Sequence, residues 1–305
     1  MRARTIAAPL AAAALGLGLA GCGAGGDAEA GGQAEPITIG AVDDSTLQWQ
    51  AFKDEAEKAG IPVETVNFSD FATPNDALVQ GQIDLNQFQH LRFLADYNVA
   101  AGESLVPVGT TVIVPASLYW EGHDSLDGIE GEDVAITNDP TNQPRAINLL
   151  VQAGLITLKD PETTWPLPID VDEEASKVGL LPVEPAQATI AYSEGRPALI
   201  DNSFLNRAGI DPHEAIVTDD PTDPRAEPFI NVFAATEETA ADPVIEELAS
   251  LWHTDAVREA VAEDSGGTAV VVERPREELE EILARLEDLA REQACLLYTS
   301  PSPRD

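Results

Sequence analysis

The sequence predicts an α/β fold built on mainly parallel sheets. Short β-branched stretches alternate with helical patterns along most of its length, the order that lays helices over parallel strands. Leu105–Tyr119 is an apolar, β-rich run too long for an ordinary strand and long enough to cross from one lobe to another. The chain has 305 residues and is 44% hydrophobic, sufficient for one large domain or two small ones.

Each element has a local cause. Ile37–Val42 is a β-branched strand that opens the globular part. A helical pattern over 46–59 is stopped by Gly60 and Pro62. Val63–Phe68 is the second strand. Thr73-Pro74-Asn75-Asp76 offers an N-cap, a Pro at the first helical position and an acid three residues on, so a short helix is expected to end near Gly81. Ile83–Leu85 reads as the third strand, with a helix over 86–101. A second series then follows: strand Val134–Thr137, helix 143–153, strand Val178–Val183, helix 187–193 and strand Ala198–Ile200. Pro228–Ala235 is another buried strand, followed by one helix over Pro243–Val261. The last helix, Pro275–Gln293, carries Leu279, Ile282, Leu283, Leu286 and Leu289 on one face.

Charge narrows the function. With 17 Lys and Arg against 54 Asp and Glu, the formal net charge is −37. That excludes a nucleic-acid phosphate binder and argues against attachment to anionic lipid through basic patches. Two cysteines, Cys22 and Cys295, are too few for a disulfide scaffold.

The ends read as something other than fold. Arg2 and Arg4 precede an apolar stretch from Ile6 to Leu19, too short for a comfortable membrane span. It closes on Leu19-Ala20-Gly21-Cys22, which resembles a bacterial lipobox, in which the Cys is acylated and becomes the new N-terminus. Residues 1–22 are therefore expected to be a lipoprotein signal peptide. The Gly/Ala-rich segment 23–35 is expected to be a flexible tether. Near the other end a charged helical pattern gives way abruptly to ACLLYTSPSPRD, which resembles translated adaptor sequence, so 294–305 is expected to be non-native.

Two stretches carry ligand chemistry. Asn138-Asp139-Pro140-Thr141-Asn142-Gln143-Pro144-Arg145 lies between a strand and a helix, at the strand's carboxyl end, where open α/β sheets bind ligands. Arg145 falls in the first helical turn, where a cation is disfavoured. A ligand carboxylate clamped by the guanidinium would relieve that cost, and so would a nearby acid of the chain itself. Asn86-Gln87-Phe88-Gln89-His90-Leu91-Arg92-Phe93 mixes aromatics with amide and imidazole groups, which suits either a pocket with polar handles or a half-buried helix start. Arg92 is expected to be solvated. His90, His123, His213 and His253 are scattered without zinc spacing, so no metal is expected. Asp264-Ser265-Gly266-Gly267 is a helix stop followed by a turn. The chain has no G-x-S-x-G, H-E-x-x-H, P-loop or Rossmann glycine triplet, and no enzyme or cofactor is expected.

These stretches together resemble the NLPA family, the methionine-binding lipoproteins of bacterial ABC importers. The resemblance rests on the lipobox, Phe68–Leu78, Gly81–His90, Asn138–Asn142 with Arg145, and Ala153–Asp160, in family order and at family spacing. It implies a two-lobed, type II-like periplasmic-binding-protein fold with the ligand cleft between lobes. Lobe one would be 36–120 plus 216–293, and lobe two 121–215. It further implies that Arg145 holds an amino-acid carboxylate and that Asn231 helps hold the ammonium. Phe71, Phe88, Phe93 and His90 would enclose the side chain, with Asn142 and Asn202 also in the site. This sequence departs from the family at Asp201, where the ammonium-binding residue is an Asn, and at Phe71 and Phe93, which are commonly Tyr. After the first strand it has Asp43-Asp44-Ser45-Thr46 in place of a Gly-Pro-His stretch. The function implied is a monomeric, lipid-anchored protein on the extracytoplasmic face of the cell membrane. It would capture an amino acid, methionine first, and deliver it to an ABC permease and its ATPase. Another small apolar amino acid, a dipeptide, or a surface interaction role without transport are the alternatives.

Overall fold

The computed structural model describes residues 35–299, with side chains up to residue 294, so Cys22, the signal segment and most of the tether lie outside the described residues. In chain order the elements begin β1 (Ile37–Ala41), α1 (Leu47–Ala59), β2 (Val63–Asn67), α2 (Pro74–Val79), β3 (Leu85–His90), α3 (Leu91–Ala101) and β4 (Val106–Thr110). They continue β5 (Val112–Ile113), β6 (Ser117–Tyr119), β7 (Asp133–Thr137), α4 (Asn142–Gln152), β8 (Gly179–Val183), α5 (Ala188–Ser193), β9 (Ala198–Leu199), α6 (Asn202–Ala208) and β10 (Val217–Thr218). The last are β11 (Asn231–Ala235), α7 (Pro243–Ser250), α8 (Asp255–Asp264), β12 (Val270–Val271) and α9 (Arg276–Thr299).

Two five-stranded sheets form, in the orders β2-β1-β3-β11-β4 and β10-β6-β9-β7-β8. In the first, β1 runs parallel to β2 and β3, and β11 is antiparallel to β3 and β4. Each sheet is covered on both faces, as period-two burial requires. In β11, Phe233 and Ala235 enter one core with Trp49, Phe52, Leu248 and Trp252, while Val232 and Ala234 enter another with Leu91, Leu94, Leu279 and Ile282. In β7, Val134 and Ile136 pack with Ile147 and Leu150, and Ala135 faces Ala188 and Phe204.

The long run 105–119 divides into β4, β5 and β6, and passes from the first sheet to the second, with β5 paired to β12 on the way. A second crossing returns the chain between β10 and β11.

Four sequence expectations are corrected. The third strand is Leu85–His90, not Ile83–Leu85, and the helix after it begins at Leu91. Its Asn86, Gln89 and the facing Asn75 are buried and satisfy one another through amide bonds of 2.7–2.8 Å, so polar residues occupy a central strand. Pro228–Ala235 is part of a 3-10 segment, Pro224–Phe229, and then β11. The helix expected over Pro243–Val261 breaks into α7, a 3-10 turn and α8, because Thr254 is extended at φ −67°, ψ 153°. The last helix continues past Gln293 to Thr299, with no Gly or Pro to stop it before Pro301.

Asp264 ends α8 as expected and also caps a distant helix. Its carboxylate accepts from Leu47 N at 3.1 Å and Gln48 N at 2.7 Å, the free amides at the start of α1.

Candidate functional site

Strand ends build the site. The carboxyl ends of β1, β3, β7 and β9, the first crossing and the start of β11 surround one cavity of about 140 Å³, an order of magnitude more than a single water needs. Phe71, Phe88, His90, Phe93, Asn142, Arg145, Asp201, Asn202 and Asn231, all nine ligand residues expected from the sequence, line it.

One wall is aromatic. Phe71, Phe88 and Phe93 have ring centroids 5.6–6.3 Å apart. Phe204, on α6 beside the second sheet, packs 5.2 Å from Phe71 and supports that ring without itself lining the cavity. Such edge-on and tilted rings offer a polarizable surface to an apolar or thioether chain.

His90 is the N-cap of α3. Its Nδ1 accepts from Phe93 N at 3.1 Å, so the proton sits on Nε2, which donates to Asn142 Oδ1 at 3.0 Å. Burial pushes the imidazole down to about 4, against the weaker support of Asn142, so it is neutral at ordinary pH. Asn142 in turn donates Nδ2 to Asp139 Oδ2 at 2.7 Å. Asp139 Oδ1 accepts from Thr141 N, Thr141 Oγ1 and Asn142 N, completing the start of α4. Asn231 lies opposite His90 in the β11–β3 register.

The charged groups differ from expectation in two respects. Arg145 is nearly buried, and its Nε and Nη2 bond Asp219 at 2.7 and 3.1 Å, so an acid of the chain itself occupies the side edge of the guanidinium. Loss of Arg145 would strand the Asp219 carboxylate, which is 18% exposed. Arg92 is not solvated. Its side chain is 3% exposed, with Nη2 3.0 Å from Asp96 Oδ1 and its guanidinium 4.7 Å from the Trp165 ring, because α3 turns this residue inward. Burial raises the Asp96 carboxyl to about 6, although Arg92 opposes the shift.

Asp201 carries the largest electrostatic consequence. Burial first, and Asp139 second, push its carboxyl up to about 7, with Arg145 pulling the other way. A cation placed beside it would restore ordinary acidity. Asp43, at the end of β1, also lines the cavity. It accepts from Ser45 Oγ at 2.6 Å and from Asn206 Nδ2 at 3.5 Å, with Arg207 Nε at 3.9 Å. Phe204 and Asp219 carry no mark in the sequence, because their partners Phe71 and Arg145 are remote in the chain and no local spacing points to them.

Among the described residues no group of three or more His, Cys, Asp and Glu is placed to hold a metal ion, and no helix is long and apolar enough to cross a membrane.

The model of the NlpA lipoprotein family matches residues 37–272, spanning both sheets and every residue of the cavity. The chain belongs to the NlpA lipoprotein family. It is 32% identical over 218 residues to the D-methionine-binding lipoprotein MetQ of Salmonella typhi, covering 70% of this chain and 79% of that protein. Among solved structures, protein PG110 from Staphylococcus aureus superposes with a TM-score of 0.76 at 31% identity, covering 82% of this chain and 99% of that one. The substrate-binding protein of a methionine transporter from Streptococcus pneumoniae gives 0.71 at 27% identity, covering 78% and 95%. The two sheets are thus the two lobes of a substrate-binding-protein fold, and the family is one of transporter binding proteins rather than catalysts.

Proposed function

We propose that this protein is a lipid-anchored extracytoplasmic receptor that captures an amino acid, methionine first, and delivers it to an ABC importer. The observation that carries the reading is the convergence of an aromatic wall, Arg145 and Asp201 on one cavity between the lobes. An α-amino acid presents a matching set: a carboxylate for Arg145, an ammonium for Asp201 and Asn231, and a side chain for Phe71, Phe88 and Phe93. The methionine-binding relatives support methionine as the first candidate. Binding then needs no covalent chemistry. Charge pairing, apolar burial and lobe closure supply the free energy. Acylation at Cys22 would keep the receptor beside its permease.

The test is calorimetric titration of mature protein, unfolded and refolded to strip any occupant, against the twenty amino acids and short peptides. Heat with L-methionine or another apolar amino acid, lost on N-acetylation, is the expected result. Binding of dipeptides alone would move the ligand class. No binding to any of them would remove the transport reading and leave a surface interaction role.

A further inference from the structure

Arg145 does not face the cavity as an open fork. Its Nε and Nη2 go to Asp219, and Nη2 also donates to Val114 O at 2.9 Å. The Phe229 ring lies 4.2 Å from the guanidinium carbon. Among the described residues nothing accepts from Nη1. Asp219 is itself held in place. Its Oδ1 accepts from Ala116 N at 2.9 Å, and its own N donates to Ala116 O at 3.1 Å. Val114 and Ala116 belong to the crossing after β5, and Asp219 opens the crossing after β10. For the Asp219 carboxylate to swing away and free the fork, the bond it accepts from Ala116 N would have to break.

We propose that Asp219 is a positioning residue for the ligand's carboxylate. It fixes Arg145 by one edge, so that only the Nη1 edge is offered to the cavity and a carboxylate is gripped there. This rests on the reading of the cavity as an amino-acid site. It also bears on substrate class. The Arg145–Asp219 pair is formally neutral, and the other carboxylates at or beside the cavity are Asp43, Asp139 and Asp201. Such a site suits a ligand with one carboxylate and one ammonium, and repels a second carboxylate, so aspartate and glutamate are excluded.

The experiment compares wild type, Asp219→Asn and Asp219→Glu, titrated with L-methionine and with L-methioninamide, which lacks the carboxylate charge. Wild type is expected to prefer the acid. In Asp219→Asn, binding of the acid should weaken about tenfold or more while that of the amide changes little, so the acid-to-amide preference collapses. Asp219→Glu, which keeps the charge but displaces it by one methylene, should recover part of the preference. A purely structural role would weaken both ligands equally. An unchanged preference in both variants, or tighter binding of L-methionine by Asp219→Asn, overturns the proposal while leaving the amino-acid reading intact. If Asp219→Asn does not fold, the preference in Asp219→Glu decides alone: unchanged, it overturns the proposal. Failure of wild type to bind any amino acid overturns both.

Discussion

His90 and Asn142 are joined across the cleft: Nε2 of an imidazole at the end of β3 donates to Oδ1 of an amide at the start of α4, 3.0 Å away. One residue belongs to the first sheet and the other begins the helix that covers the second. The bond is directional at both ends, since Phe93 N fixes the tautomer and Asp139 fixes the amide. A bond so placed would act as a latch between the lobes.

The first prediction tests that latch. Asn142→Ala removes the cross-lobe acceptor and, with it, roughly 1 kcal/mol of closure, so ligand affinity should fall about fivefold. Small-angle scattering should report a larger mean radius for the variant without ligand. An unchanged radius and unchanged affinity would show that the latch carries no closure energy.

The second concerns Arg145→Ala. Loss of a desolvated charge partner typically costs about 2–5 kcal/mol, so binding should weaken roughly 30-fold to several-thousand-fold. Because Asp219 loses its partner, the variant should also melt at a lower temperature than wild type, which calorimetry of both proteins would reveal. Binding within threefold of wild type places the carboxylate elsewhere.

The third concerns pH. An ammonium needs Asp201 ionised, and its carboxyl lies at about 7. Affinity should therefore rise as pH climbs through about 7 and flatten above it, falling about tenfold per unit below. Stability of the empty protein takes the opposite sign. The folded state holds the Asp201 proton more tightly than the unfolded chain, so its contribution to stability is greatest below about 4 and is lost as pH rises through 7. Asp201→Asn should flatten both slopes; ligand titrations at pH 6, 7 and 8 and denaturation of the empty proteins between pH 4 and 7, in wild type and variant, would decide.

The fourth concerns Arg92. Its buried contact with Asp96 makes Arg92→Ala a stability variant rather than a neutral control, with an expected loss of about 3–5 kcal/mol in urea denaturation. A midpoint indistinguishable from wild type would mean the pair is balanced by its own desolvation.

The fifth concerns the anchor. Cys22→Ser should move the protein from the membrane to the soluble fraction, and mass spectrometry of the wild-type N-terminus should find an acylated cysteine. Wild-type fractionation of the variant, with no acyl chain on the native protein, refutes the lipoprotein reading.

The sequence by itself determined the α/β class, because strand and helix periodicities are local and survive without a partner. It also marked the stretches 86–93 and 138–145, whose polar residues sit where an open sheet binds ligands. Only the tertiary structure decided that 85–90 is a central strand. Asn86 and Gln89 read as the start of a helix until Asn75, on α2, satisfies them. The same reason governs the charges. Arg145 is separated from Asp219 by 74 residues, and no pattern along the chain pairs them. Arg92 has its acid one helical turn away, but whether that face meets water or Trp165 is settled by the packing of a distant segment. Local sequence sets what a residue can do; the burial that fixes its partner, its protonation and its exposed edge comes from chain brought together over long range.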